Sequence, residues 1–306
     1  VASLKAQGCW VRGVDIKHPE FTPSAADEFL LLDLRDSGNC QRAVEGIDEV
    51  YALAADMGGM GYISSHHAAI LHGNTLIDFH TLEAARRAGV RRLLYTSSAC
   101  IYPEHLQTDA QVVPLKEDVA YPALPQDAYG WEKLIAERLC LHYADDYGLE
   151  TRVVRFHNIF GPLGTWDGGR EKAPAALCRK VAEAKLSGSS TVEIWGDGEQ
   201  TRSFCYIDDC VTGLQKLMRS DYRQPLNLGQ DRMISINDLA MLIAGVAGVS
   251  ITLVHVPGPQ GVRGRNSDNS RLREVLHWEP AISLEDGLSR TYRWIEGQVR
   301  HQRAAV

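Results

Sequence analysis

The sequence predicts an α/β chain: a doubly wound parallel sheet followed by a smaller C-terminal α/β substrate-binding lobe. Three observations carry that expectation. Short β-rich apolar runs alternate with long helical stretches in the first half, and such alternation builds parallel strands covered by helices on both faces. Glycines stand where those helices should stop. After about residue 160 the texture changes, with Gly and Pro clustering at 161–169, 196–198 and 257–264, as a loop-rich lobe would read. At 306 residues, 44% apolar and 23% charged, the chain can bury two cores and has a soluble globular profile.

Element by element, residues 1–8 read as the last turns of a helix stopped by Gly8. Strands are expected at 10–14, 29–34, 49–54, 91–97 and 151–156. Helices are expected at 74–88, closed by Gly89, and at Ala128–Tyr147, closed by Gly148. The second helix places Leu134, Ile135, Leu139 and Tyr143 at helical spacing, the mark of an amphipathic face. No glycine-rich loop precedes the strand at 10–14. A complete βαβ unit would carry one there, so roughly 20–30 further N-terminal residues are expected.

Bulk properties exclude several classes. A net charge of -7 argues against a general nucleic-acid binder. The second half nevertheless carries a basic set, Arg170, Lys172, Arg179, Lys180, Arg202, Arg263 and Arg265, suited to an anionic small molecule. Seven cysteines lie scattered with no Cys-x-x-Cys pair and no zinc spacing. Reduced thiols in a cytosolic enzyme without a metal site are the simplest expectation. No run approaches the length of a membrane span and no signal-peptide pattern opens the chain, which favours a cytoplasmic location.

Asp15 closes the first strand, where a carboxylate can accept hydrogen bonds from adenosine ribose hydroxyls and repel the 2′-phosphate of NADP. NAD is therefore the expected cofactor. Asp33 closes the next strand, within reach of the adenine amino group. Tyr129 and Lys133 are four apart on one helix face. The Lys133 charge, added to that of oxidised nicotinamide, is expected to pull the Tyr129 phenol below its usual value. A phenolate can then take the proton of a substrate hydroxyl. Ser98, some thirty residues earlier at a strand end, completes the set.

These residues resemble the extended short-chain dehydrogenases/reductases, the nucleotide-sugar epimerases and dehydratases, whose sheet is of Rossmann type. The resemblance implies that residues 1–160 form the NAD-binding domain, with 205–230 returning to it. Residues 161–306 would then form mainly the lobe for the nucleotide sugar. It also implies that Ser98 hydrogen-bonds the reacting hydroxyl, with Tyr129 and Lys133 as partners. Dehydratases carry two acids just after this serine; here the tripeptide is Ser98-Ala99-Cys100, which argues against dehydration. On a strand Ser98 and Cys100 would share a side. Cys100 taken alone reads as a small buried residue. Paired with Lys172, it offers proton removal from one face of a carbon and return on the other.

The fuller set, with Gly58, Gly59 and Gly61 after Ala54, with Arg155-Phe-His-Asn158, with Gly168-Gly-Arg-Glu-Lys172 and with Gln200-Thr-Arg202, is similar to the GDP-mannose 3,5-epimerases. That similarity implies transient oxidation at C4 by NAD, proton exchange at C5 and C3 by Cys100 and Lys172, and hydride return. GDP-L-galactose and GDP-L-gulose would be the products. It further implies that Gly58, Ser98, Ala99, Cys100, Asn158, Glu171, Lys172, Lys180, Gln200, Thr201, Arg202 and Arg265 contact GDP-mannose, in a homodimer. A 4-epimerase or 4,6-dehydratase of another nucleotide sugar stays open, as does a catalytically silent NAD- or nucleotide-sugar-binding protein.

Overall fold

Neighbouring residues on the central strands turn to opposite helix layers. Leu93 and Val153 enter one core while Leu94 and Val154 enter another, because successive side chains on a strand alternate. The computed structural model describes residues 1–304. In chain order the first half runs α1 (Ala2–Lys5), β1 (Arg12–Asp15), β2 (Glu28–Leu31), α2 (Ser37–Val44), β3 (Glu49–Ala52), α3 (Met60–Ile63), α4 (His67–Arg87), β4 (Arg92–Ser98), α5 (Ala128–Tyr147) and β5 (Glu150–Phe156). The second half runs β6 (Ile159–Phe160), α6 (Ala173–Ser187), β7 (Thr191–Trp195), β8 (Thr201–Ser203), β9 (Cys205–Tyr206), α7 (Ile207–Arg219) and β10 (Leu226–Leu228). It ends with β11 (Met233–Ser235), α8 (Ile236–Ala247), β12 (Thr252–Val256), β13 (Gly264–Arg265), α9 (Ser270–Leu276) and α10 (Leu284–Ala304).

The main sheet has the order β10-β5-β4-β3, all parallel, and β1 pairs in parallel with β2. Cys40, Val44, Leu82, Ala85, Ala136 and Cys140 from α2, α4 and α5 fill one side. Leu214, Leu217, Leu272 and Leu276 from α7 and α9 fill the other. Each such Leu contributes roughly 1.5–3 kcal/mol by leaving water. A third core joins α6, α8, α10 and β7 into the smaller lobe. No helix among the described residues is long and apolar enough to cross a membrane.

Several expected boundaries shift for local reasons. The strand expected at 29–34 ends at Leu31, because the Asp33 carboxylate accepts the Arg35 backbone N–H and turns the chain. The helix expected from 74 begins at His67. Asn74 looks like a turn former, yet its amide is engaged by the N–H and C=O of Asp56, 2.7 and 3.0 Å away. It is thereby removed from competition with its own helix. The helix Ala128–Tyr147 has the expected ends: Asp127 caps it by accepting the Gly130 N–H, and Gly148 closes it with φ +69°. Its expected apolar face is only partly inward, since Leu134 is buried and Ile135 faces solvent.

Candidate active site

Where β4 ends, the chain leaves the strand at once. Ser98 is its last residue, and the Ser98 hydroxyl accepts the Cys100 N–H at 3.2 Å, winding Ala99–Ile101 into a 3₁₀ turn. The expectation that Ser98 and Cys100 share one strand face is thus corrected: a serine-capped turn sets their relation. The turn is pressed against α5. At Gly130 a Cβ would collide with the Cys100 carbonyl and with Pro125, so glycine is what lets Cys100 approach the Tyr129 helix. The sequence analysis gives Gly130 no role; its place directly after Tyr129 is the signal it carries.

Tyr129 is buried in a small cluster with Ile63 and Ile70, against which Met57, Met60 and Cys100 pack. Burial pushes its phenol well above the ordinary value, a thiolate at Cys100 would push the same way, and the Ser98 hydrogen bond opposes both. The expected lowering therefore does not come from the chain's own groups. Lys133, 2% exposed, points elsewhere than anticipated. Its ammonium donates to the Tyr95 hydroxyl at 3.1 Å and lies 3.5 Å from Asp78, to which Tyr95 in turn donates at 2.8 Å. Glu132, 3.8 Å from Lys133, has its carboxyl pushed up to about 8 by burial. The positive charge is thus shared with a buried acidic set, and only the cation–π contact, 5.7 Å to the ring centre, reaches Tyr129.

Lys172 precedes α6 on a loop that crosses to the first lobe. It is solvent-accessible yet ringed by protein. Poor solvation lowers its ammonium from the usual lysine value, while a thiolate at Cys100 raises it, which puts the two groups within electrostatic reach. The loop is clipped in place: the Gly59 N–H donates to the Arg170 carbonyl at 2.9 Å, and a Cβ on Gly59 would strike the Glu171 carbonyl. Arg170 pairs with Asp56 at 2.8 Å and stacks 3.8 Å from the Tyr62 ring centre, while Tyr62 donates to Asp56. Asp56 and Tyr62 have no role in the sequence analysis, Arg170 stands there only in the basic set, and nothing in their spacing reveals the latch. Glu171 is engaged within its own segment. It accepts the Gly169 N–H at 2.7 Å and pairs with Arg179 at 2.9 Å, so it shapes the loop.

The remaining residues fall into two groups. Arg265 on β13 donates from Nη1 to the Cys100 sulfur at 3.2 Å. Beside it Arg202 on β8 donates to the carbonyls of Thr201 and Val262, both at 2.7 Å. Burial and the Arg265 charge bring Arg202 down to about 9, still charged at neutral pH. Asn158 adopts φ +48° and donates to the Ser203 carbonyl at 2.9 Å. Thr201 donates to Ala110, Gln200 reaches the Trp195 carbonyl at 3.5 Å, and Lys180 donates to the Glu193 carbonyl at 2.8 Å. Gly58 sits with no room for a Cβ against Tyr62. Asp15 and Asp33 lie apart, at the carboxyl ends of β1 and β2. Asp33 is occupied by Arg35, at 2.5 Å, whereas the exposed Asp15 carboxylate accepts, among the described residues, only the Lys17 N–H.

This donor set fits a dinucleotide. Asp15 is an exposed acceptor at a parallel strand end, and Tyr129, Lys133 and Ser98 gather at the carboxyl ends of the main sheet, where open α/β sheets bind ligands. Residues 1–229 match the NAD dependent epimerase/dehydratase family. The chain is 50% identical over 303 residues to GDP-mannose 3,5-epimerase of Arabidopsis thaliana, covering 98% of this chain and 79% of that protein. It is 51% identical to GDP-mannose 3,5-epimerase 1 of Oryza sativa subsp. japonica, with the same coverage. Among solved structures, UDP-glucuronic acid 4-epimerase from Bacillus cereus, in complex with UDP-glucuronic acid and NAD, is similar with TM-score 0.80 and 25% identity, over 97% of this chain and 94% of that one. Family match, identity and fold agree: the chain belongs to the NAD dependent epimerase/dehydratase family, with NAD as its cofactor.

Proposed function

We propose that the chain epimerises GDP-D-mannose at C3 and C5 to GDP-L-galactose, and to GDP-L-gulose when C5 alone inverts. The observation that carries this reading is the convergence of a thiol, Cys100, and an ammonium, Lys172, on the Ser98–Tyr129 centre, with Arg265 on the sulfur. Relatives with that activity, at 50–51% identity, support it. Asp15, Asp33, Tyr129 and Lys133 would hold the cofactor. Bound NAD supplies reversible hydride acceptance at C4, and the resulting ketone acidifies C3 and C5.

Ser98 and Tyr129 hold the C4 oxygen, and the Tyr129 oxygen, as phenolate, takes the C4 hydroxyl proton and later returns it. The Cys100 sulfur removes a proton from C5, leaving an enolate on the C4 oxygen. Lys172 Nζ delivers a proton to the opposite face, helped by its lowered affinity for protons. Once the thiol has released that proton and the amine has regained one from water, the same pair acts at C3. Arg202, Lys180 and the free Nη2 of Arg265 suit the diphosphate, Asn158 suits a sugar hydroxyl, and Gly58 gives the hexose room. A homodimer in the cytoplasm is the expected setting.

The test is turnover of GDP-mannose in deuterated buffer. Deuterium should enter C3 and C5, whereas a 4-epimerase would label neither carbon. Turnover that survives Cys100→Ala unchanged would overturn the reading.

A further inference from the structure

Arg265 is the guanidinium that touches the Cys100 sulfur, and its position is set by Gln107. Gln107 is 1% exposed. Its amide nitrogen donates to the carbonyls of Tyr102 and Pro103 at 3.1 and 3.2 Å, which fixes the amide's orientation. The amide oxygen must then face the other way, where it accepts Arg265 Nε at 2.6 Å. The Gln107 backbone carbonyl also accepts the N–H groups of Arg263 and Gly264, at 2.9 and 3.2 Å. Side chain and backbone thus both hold the short strand that carries Arg265.

The chemistry of the clamp matters as much as its geometry. A buried guanidinium is commonly held by a carboxylate, which also cancels its charge. An amide orients without cancelling. Among the described residues no carboxylate pairs with Arg265, so its charge is left to the sulfur. The other groups facing Cys100 are Ser98, Tyr129, Lys172 and Arg202. Ser98 and the neutral phenol bring no charge, and the two cations act in the same direction as Arg265 without touching the sulfur.

We propose that Gln107 is a positioning residue that holds an uncancelled Arg265 charge against Cys100, favouring the charged form of its sulfur. The proposal rests on reading Cys100 as the group that removes the sugar proton.

Its test is the pH dependence of iodoacetamide alkylation, followed at the Cys100 peptide, with the exposed Cys9 as reference in the same sample. The Cys100 midpoint of the unaltered protein is the reference for each variant. Gln107→Met should raise it by about one unit, so that thiolate at pH 7 falls roughly tenfold. Gln107→Glu should raise it as well, because it keeps the Arg265 contact but cancels the charge. This near-isosteric variant decides the matter if Gln107→Met fails to fold by circular dichroism. Adding Gln107→Met to Arg265→Met should move the midpoint no further than Arg265→Met alone. An unchanged midpoint in Gln107→Glu, or full additivity in the double variant, overturns the proposal. Alkylation needs no turnover, so it is separable from the reaction itself: absent deuterium at C5 in the unaltered protein would sink the epimerase reading while leaving the alkylation result standing.

Discussion

The two halves of the site are held in place differently. Ser98, Tyr129 and Lys133 stand on β4 and α5, long elements of one lobe fastened by a sheet ladder and a capped helix. Cys100, Lys172 and Arg265 stand on a 3₁₀ turn, a loop before α6 and a two-residue strand. They meet only because the second lobe folds over the first. The proposed redox centre is therefore a rigid platform, and the proposed proton-exchange pair is an assembly whose geometry depends on clips such as Gly59–Arg170 and Gln107–Arg265. Chemistry common to many sugar nucleotides can sit on the platform, while chemistry that selects carbons can be tuned in the loops.

If the halves are separable, their deletions should differ in kind. Tyr129→Phe should abolish both C4 oxidation and deuterium entry. Cys100→Ala and Lys172→Ala should lower epimerisation by about 10²–10⁴-fold while leaving transient nicotinamide reduction, read at its absorbance, in place. Loss of that absorbance in Cys100→Ala would break the comparison. Gly59→Ala should come next. Its Cβ displaces the Glu171 carbonyl and with it Lys172, and a misplacement near 1 Å costs about 10²-fold in rate, with C4 oxidation again spared.

A smaller effect should fall on stability. His157 is fully buried, donating from Nε2 to the Asn227 oxygen at 3.0 Å, and burial lowers its pKa to about 3. Unfolded histidine titrates near 6.5, so below that pH the unfolded chain binds the extra proton. Stability is complete above pH 6.5 and declines as pH falls towards 3, by about 2 kcal/mol at pH 5. Urea midpoints at pH 7.5 and 5 should show this slope, and His157→Gln should flatten it. The smallest effect belongs to the latch. Arg170→Ala removes a half-exposed ion pair and a stacking contact, which should lower kcat about fivefold or less. An equal fall in the rate of C4 oxidation would show that the latch serves the platform too.

Much of the platform was legible in the residues. Alternating apolar runs, Asp127 and Gly148 as helix ends, and the four-residue spacing of Tyr129 and Lys133 are local properties that need no partner to be read. The errors have physical causes. The Asn74 amide found a distant backbone partner and so did not break its helix. Ser98 chose a turn over a strand by accepting a nearby N–H. Lys133 was expected to serve Tyr129, but buried acids behind it compete for its charge.

By itself the sequence determined the α/β class, the helix ends around Tyr129 and the inventory of a thiol, two ammonium groups and a guanidinium set in order along the chain. Only the tertiary structure decided that Arg265, 165 residues after Cys100, touches its sulfur, that Gln107 aims it, and that Glu171 shapes the loop. Periodicity and capping act over a few residues and so leave a trace in local spacing. Contacts between loops of different lobes are fixed by packing and by the burial of unpaired polar groups, and no spacing along the chain encodes them.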